Sequence, residues 1–299
     1  MKFRTIFVLF NVVIVASFLF VFLMPFFLLG AQYSFTFWKS NWYLALFFLA
    51  LIGGLNAFFL ANRRVFLLVE REDWSSLSAH LVDQMFRRGR FRPGHVRLLV
   101  NAYLLQSDVE GIERLEAELA SRRPDLLRRH ALLFGVTRLL RNKSAEAETF
   151  FASYLDAKDV ESKDWLRFDY AFSLVLQKRI VEALPHLREG STSRDAVLAL
   201  LSAYLLGSLG AASVAGDERA ELLALASATR KRLRARFPGA RWSREIERAK
   251  NEVHIVILTK LIDDASVWLA SGDEEGRTAS EGSAASAGAD SPGASISSS

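Results

Sequence analysis

Two hydrophobic patterns divide this chain. No side chain is charged between residues 5 and 34, and residues 6–29 are almost continuously apolar. A second apolar run covers residues 42–61. Beyond Arg64 the apolar positions recur every three or four residues, in stretches of ordinary helix length separated by Gly, Pro, Asp and Ser. A continuous run of about 20 apolar residues reaches across the roughly 30 Å hydrocarbon core of a bilayer, whereas the interrupted pattern gives a helix one face to bury. The expected fold class is all-α. A two-helix transmembrane hairpin occupies 1–62, with spans at about 6–29 and 42–61, a helical domain follows over 63–270, and a tail covers 271–299.

The first run is too long for the h-region of a cleaved signal peptide and is soon followed by the second. The connection between the runs holds Tyr33, Phe35, Phe37, Trp38, Trp42 and Tyr43 with Lys39 as its only charge, the composition of an interfacial belt. Lys2 and Arg4 precede the first run, and Arg63, Arg64 and Arg71 follow the second. The positive-inside rule then places both ends of the chain and its large domain in the cytoplasm, at the inner membrane of a bacterium. Asn11 and Asn56 lie about two turns from that side and form a candidate intramembrane pair. Ala50, Gly53, Gly54, Ala57 and Ala61 supply small residues four apart, which predicts close approach of the two helices.

The helical domain carries an internal period. Phe134-Gly135-Val136 is followed by Ala147 and Phe151, and Tyr170-Ala171-Phe172 by Ala183 and Leu187. Asn101-Ala102-Tyr103 is followed by Ile112 in the place of that Ala. Setting Leu77, Ile112, Ala147 and Ala183 in one register gives steps of 35, 35 and 36 residues. This pattern resembles the tetratricopeptide repeat, whose period is about 34 residues. The small–Ala–aromatic core stands here as Gly135–Ala147–Phe151 and Ala171–Ala183–Leu187, although Val100 replaces the small residue in one copy and only Pro124 suits the motif's proline. The resemblance covers residues 64–236 and implies a tetratricopeptide-like α-solenoid, in which small residues allow helices to cross closely. It also implies a groove for a protein or peptide partner, with Asn101, Arg138, Arg167 and Ser173 as candidate groove residues. The layout of two spans ahead of helical repeats is similar to that of HemY-type bacterial membrane proteins, with no residue carried across.

Residues 65–70 are expected to continue out of the second span as the first repeat's opening helix. Residues 194–209 and 217–236 read as a further helix pair separated by a glycine-rich loop, and residues 242–269 as one long helix capping the stack. The tail is Ser, Ala, Gly and acids, with Asp273, Glu274, Glu275, Glu281 and Asp290 against Arg277, and is expected to be disordered. The formal net charge of +5 therefore understates how basic the body of the chain is.

Chemistry is scarce. The absence of cysteine removes disulfides, thiolate nucleophiles and Cys-based zinc sites. His80, His95, His130, His186 and His254 stand alone, and no HExxH, phosphate-binding glycine loop or GxSxG elbow occurs. No catalytic, cofactor or metal residue is assigned, and an enzyme is not expected. Arg63, Arg64, Arg87, Arg88, Arg90 and Arg92 form a candidate lipid-facing cluster, suited to anionic headgroups. Nucleic acid is not the expected partner, because only Phe91 and Phe237 interleave with the basic runs. The reading is a membrane-anchored adaptor. The alternatives are a structural subunit using its membrane helices as the interface, an enzyme assembled from distant residues, and a repeat domain facing outward.

Overall fold

Apolar runs this long have no strand-breaking punctuation, and they fold as helices. In the computed structural model, which describes residues 3–250 and 252–271, the protein is all-helical, with no strand among the described residues. The expected tail lies almost wholly outside the described residues. Internal contacts divide the chain into two compact units, Met1–Glu113 and Arg114–Ser299. The expected boundary at 62/63 is not where contacts thin out. Helix α3 runs unbroken through Asn62 and packs on the next helix, so the residues on either side of 62/63 share one rod.

The first unit opens with α1 (Phe3–Leu29), α2 (Ala31–Ser40) and α3 (Trp42–Glu70). Gly30, at φ +82°, makes the corner between α1 and α2. The aromatic connection is thus itself a helix, held to α1 by Trp38, which stacks on Phe22 at 4.5 Å. Helices α1 and α3 meet in reversed order through Phe7–Phe59 at 5.1 Å and Phe18–Phe48 at 5.6 Å between ring centroids. These rings make the contact in place of the small residues, for a Cβ on Gly53 or Gly54 would meet nothing within 4 Å. The expected close approach at those glycines is therefore corrected. They lie on a face that α1 does not cover.

Next come α4 (Trp74–Val82), a π-helical turn (Asp83–Arg87) and α5 (Pro93–Leu105). Leu77, Leu81, Met85, Val96, Leu99 and Val100 have no exposed surface and form this unit's core. Helix α6 (Val109–Arg122) spans the division between the units.

The second unit continues with α7 (Pro124–Arg129), α8 (Ala131–Leu140), α9 (Ser144–Ala152), α10 (Lys163–Leu176), α11 (Ile180–Ser191) and α12 (Ala196–Leu205). From α9 to α11 each helix packs mainly on its neighbours in the chain, whereas α12 also packs on the later helices. After α12 come a π-helical turn (Leu206–Gly210), α13 (Ala211–Ser213) and α14 (Gly216–Arg236). Gly207 and Gly210 both lie in this π-helical turn, whereas the sequence predicts that Gly210 opens the loop. They fit there because Gly210 meets Leu184 and Gly207 meets Ala226, with 3.0 and 3.2 Å left for any Cβ.

The long final helix is also corrected. It is broken into α15 (Ala240–Ala249), α16 (Val253–Val256) and α17 (Thr259–Ala270). A β-branched run at Val253, Ile255, Val256 and Ile257 is a poor helix interior, and buried Ile255, Leu258 and Ile262 fold the chain back onto the core. Helix α17 packs on α12 and α16 on α8, so this segment lies along the unit instead of extending it.

One turn recurs. Glu72, Ser107, Asn142 and Lys178 all adopt left-handed backbone, at φ 53, 55, 57 and 64°, and are spaced by 35, 35 and 36 residues. Each follows the first helix of a pair. At each, the next residue's N–H bonds a carbonyl five residues back: Asp73 to Leu68, Asp108 to Tyr103, Lys143 to Arg138 and Arg179 to Leu174, at 2.9–3.0 Å. The left-handed residue itself bonds three residues back, to Val69, Leu104, Leu139 and Val175. This is the Schellman closure, which satisfies carbonyls that a helix end leaves open. Leu77, Ile112, Ala147 and Ala183 each stand five residues after such a turn, and all are buried.

Among the described residues, three segments are long and apolar enough to cross a membrane: Phe7–Leu28, Trp42–Glu70 and Ala196–Ser213. The first two have none of their apolar window buried in protein, and the third has 67%. The third is the central helix of the second unit's core.

Candidate functional site

The expected residues do not converge on one place. Asn101 lies on α5, half-buried, with its side-chain oxygen enclosed and unbonded. Arg138 on α8 is committed to structure. It clasps Glu116 at 2.8 and 3.0 Å, bonds the Phe134 carbonyl at 2.9 Å and sits 4.1 Å over the Phe150 ring. Ser173 on α10 is wholly buried and donates to the Tyr170 carbonyl at 2.6 Å, so it faces no groove. That expectation fails because its side of α10 is covered by neighbouring helices.

Arg167 is differently placed. It pairs with Glu189 of α11 at the rim of a cleft of about 330 Å³, lined also by Asp164, His186, Ser193 and Arg194. The His186 imidazole is held below its ordinary pKa by burial, opposed by Glu189, and its ring stands edge-on to Tyr170 at 5.0 Å. A second cleft of about 280 Å³ opens between the starts of α10 and α12 and the C-terminal return, lined by Trp165, Asp195, Glu245, Arg248, Glu252 and His254. Asp195 caps α12 by accepting from Val197 and Leu198 N–H at 3.0 and 3.1 Å, and it also takes the Trp165 indole N–H at 2.9 Å. Both clefts mix acids and bases. Among the described residues no group of three or more His, Asp or Glu is placed to hold a metal ion.

Leucines at one repeat position are left uncovered. Leu105, Leu140 and Leu176 each stand two residues before a left-handed turn residue, and they are 61, 42 and 50% exposed. Val181, just past the third of these turns, is 58% exposed. Their spacing was visible in the sequence, but their exposure was not, because the leucines around them are buried.

The basic runs separate into two kinds. Arg232 bonds the Ser191 carbonyl at 2.7 Å, and Arg234 the Leu269 and Ala270 carbonyls at 2.5 and 2.9 Å. Arg230 reaches Ser271 and sits 4.8 Å from the Trp268 ring. These cations close the open C-terminal ends of α11 and α17. In the first unit Arg87 and Arg88 pair with Asp83 at 3.9 and 3.0 Å, whereas Arg63, Arg64, Arg90 and Arg92 meet no acid among the described residues.

Asn11 and Asn56 come together. The Asn56 Nδ2 donates to the Asn11 Oδ1 at 2.8 Å, and each amide also donates to its own helix, at Phe7 and Ile52. Sequence reasoning missed Gln106 and Gln177, which stand two repeats apart. Gln106 donates to the Trp74 carbonyl at 3.2 Å and Gln177 to the Ser144 carbonyl at 3.4 Å, each reaching the first residue of the preceding second helix. Their separation of 71 residues, two periods, was the available signal.

A family model described as "Uncharacterised Treponema protein" matches residues 111–271, more than half of the chain. The chain belongs to this family. A protein of Treponema pallidum (strain Nichols), described as uncharacterized, is 33% identical over 231 residues, covering 75% of this chain and 74% of its own. No solved structure matches significantly. The region shared with the family model takes in both clefts, the left-handed turns at Asn142 and Lys178, and the C-terminal return.

Proposed function

We propose that this protein is a membrane-anchored adaptor of the tetratricopeptide-like kind, holding a protein or peptide partner at the cytoplasmic face of a bacterial inner membrane. In this reading α1 and α3 cross the bilayer as a hairpin and α2 lies at its outer edge. The helix pairs behind them stack as a solenoid. The observation that carries it is the turn that recurs every 35 or 36 residues between helices with apolar cores. Repeated helix pairs of this kind bury one face against each other and leave another for a ligand. The uncovered apolar surface of α1 and α3 supports the anchor, since such area is not left to water. The bases at positions 2, 4, 63 and 64 support its orientation. Leu140, Leu176 and Val181, exposed beside the left-handed turns that end α8 and α10, are the surface assigned to the partner.

Crosslinking in membranes followed by mass spectrometry tests the reading. Wild-type protein is expected to capture one or a few partners reproducibly. Leu140→Ser with Leu176→Ser is expected to lose them with little change in melting temperature, because neither side chain is buried. Identical capture by the double variant would overturn the assigned surface. Orientation is read with single cysteines at Ser40 and Ser208, both exposed. An impermeant maleimide should label position 40 in intact cells and position 208 only after permeabilisation. The reverse result would place the domain outside.

A further inference from the structure

Two of the four arginines that meet no acid, Arg90 and Arg92, line a small cleft in the first unit. Ala61, Asn62 and Val65 of α3 form one wall, and His80, Gln84, Arg90, Arg92 and His95 the others, enclosing about 50 Å³. Its position follows from the fold. The π-helical turn at Asp83–Arg87 ends α4, and Gly89, at φ +63° with open space around it, reverses the chain. The Arg90 N–H then bonds the Gln84 carbonyl at 3.0 Å, and Pro93 starts α5. Arg90 and Arg92 are thereby brought beside α3 at the point where its apolar run stops, next to Arg63 and Arg64.

The electrostatics of this corner are one-sided. Several exposed arginines elsewhere are paired with acids: Arg123 has Asp125, and Arg179 has Glu148 and Glu182. Here guanidinium groups act on both imidazoles, opposed by Asp83 at His80 and by a bond to the Arg90 backbone at His95. His80 is held below its ordinary pKa by burial and then by Arg64 and Arg88, and His95 by burial and then by Arg92. Unneutralised guanidinium groups around one cleft repel each other, and an anion seated among them relieves that repulsion. Guanidinium forks match phosphate oxygens in pairs, and neutral imidazole and the Gln84 amide add donors. The volume suits one phosphate group, with the rest of its carrier outside the cleft.

We infer that this cleft binds the phosphate of an anionic phospholipid headgroup where α3 leaves the bilayer. The inference rests on the proposed membrane anchor, which puts the cleft at headgroup depth and so selects a lipid over a soluble anion. Phosphate contact there fixes the depth and rotation of α3, and through its unbroken helix the first turn of the domain.

The full chain is placed in bilayer discs of phosphatidylcholine with about one third phosphatidylglycerol, an anionic lipid, and the lipids retained on release are counted by native mass spectrometry. Wild-type protein is expected to retain phosphatidylglycerol in preference to phosphatidylcholine. Arg90→Gln with Arg92→Gln should lower that preference about tenfold, with helix content and phosphatidylcholine retention unchanged. Arg122→Gln with Arg128→Gln, removing two bases elsewhere, should keep it. No preference in a wild-type protein that resists carbonate extraction overturns the lipid site and leaves the anchor standing. Release of the wild-type protein by carbonate overturns both. A preference that survives in the Arg90/Arg92 variant overturns the assignment to this cleft. Inorganic phosphate alone, raising the melting temperature of the detergent-solubilised chain as much as phosphatidylglycerol does, overturns the lipid as the source.

Discussion

Asp169 is the most anomalous side chain in the second unit. It is fully buried on α10, neither carboxyl oxygen is hydrogen-bonded, and desolvation raises its pKa well above the usual carboxylate range. A raised native pKa means that the folded chain keeps a proton the unfolded chain gives up. Its stability is therefore complete below the unfolded pKa and declines as pH rises towards the native value, by at most about 1.4 kcal/mol per pH unit. Asp169→Asn removes the ionisation. The variant is expected to melt higher than its parent, by a margin that widens as pH rises above the ordinary carboxylate range. An unchanging margin would count against a buried acid. Gly135 is a different case, because any Cβ built there collides with the buried Phe151 ring. Gly135→Val should cost about 1–3 kcal/mol through overpacking, read from denaturant midpoints. Here the sequence was informative: a small residue sixteen positions before an aromatic marks where two helices cross.

At the scale of elements, the left-handed turn does most to organise the chain. Only Asn142 among the four is a residue that enters this conformation readily. Lys178→Gly should therefore stabilise by about 1 kcal/mol, and Lys178→Val should destabilise by a similar amount, as measured by thermal unfolding. Equal stability of the two variants would mean that the turn is not held in the folded chain. The repeat length was legible because buried positions and turns share it. The turns' identity was not, since Glu, Ser, Asn and Lys have no common signature. The Asn11–Asn56 bond belongs to this scale as well. A chain with no native cysteine allows Asn11→Cys with Asn56→Cys to be read cleanly, and oxidation in membranes should give an intramolecular disulfide. Persistent free thiols would separate α1 from α3 at this level. The glycines of α3 show the reverse lesson, since smallness in sequence did not reveal which face they occupy.

For the whole molecule, the division at Glu113 makes a prediction of its own. Residues 131–269 contribute one continuous apolar core that includes the C-terminal return. A fragment of residues 109–271, which keeps α6 whole, should be helical by circular dichroism and melt in one cooperative transition. A gradual, featureless melt would show that the second unit has no independent stability. Ending the fragment at residue 239 should abolish the cooperative transition, because Ile255, Leu258, Ile262 and Leu269 would leave the core.

By itself the sequence determined that this protein is helical, where its two uncovered apolar rods lie, and what period its helix pairs follow. Each of these is a property of neighbours along the chain: run length, three-to-four spacing and distance between like positions. Only the tertiary structure decided which arginines are used up on carbonyls and which are left without an acid, and that Ser173 is sealed away. It also decided that the apolar segment at 253–262 folds back on the second unit's core. These outcomes depend on residues far apart in sequence, and burial and charge pairing are settled only when those residues meet.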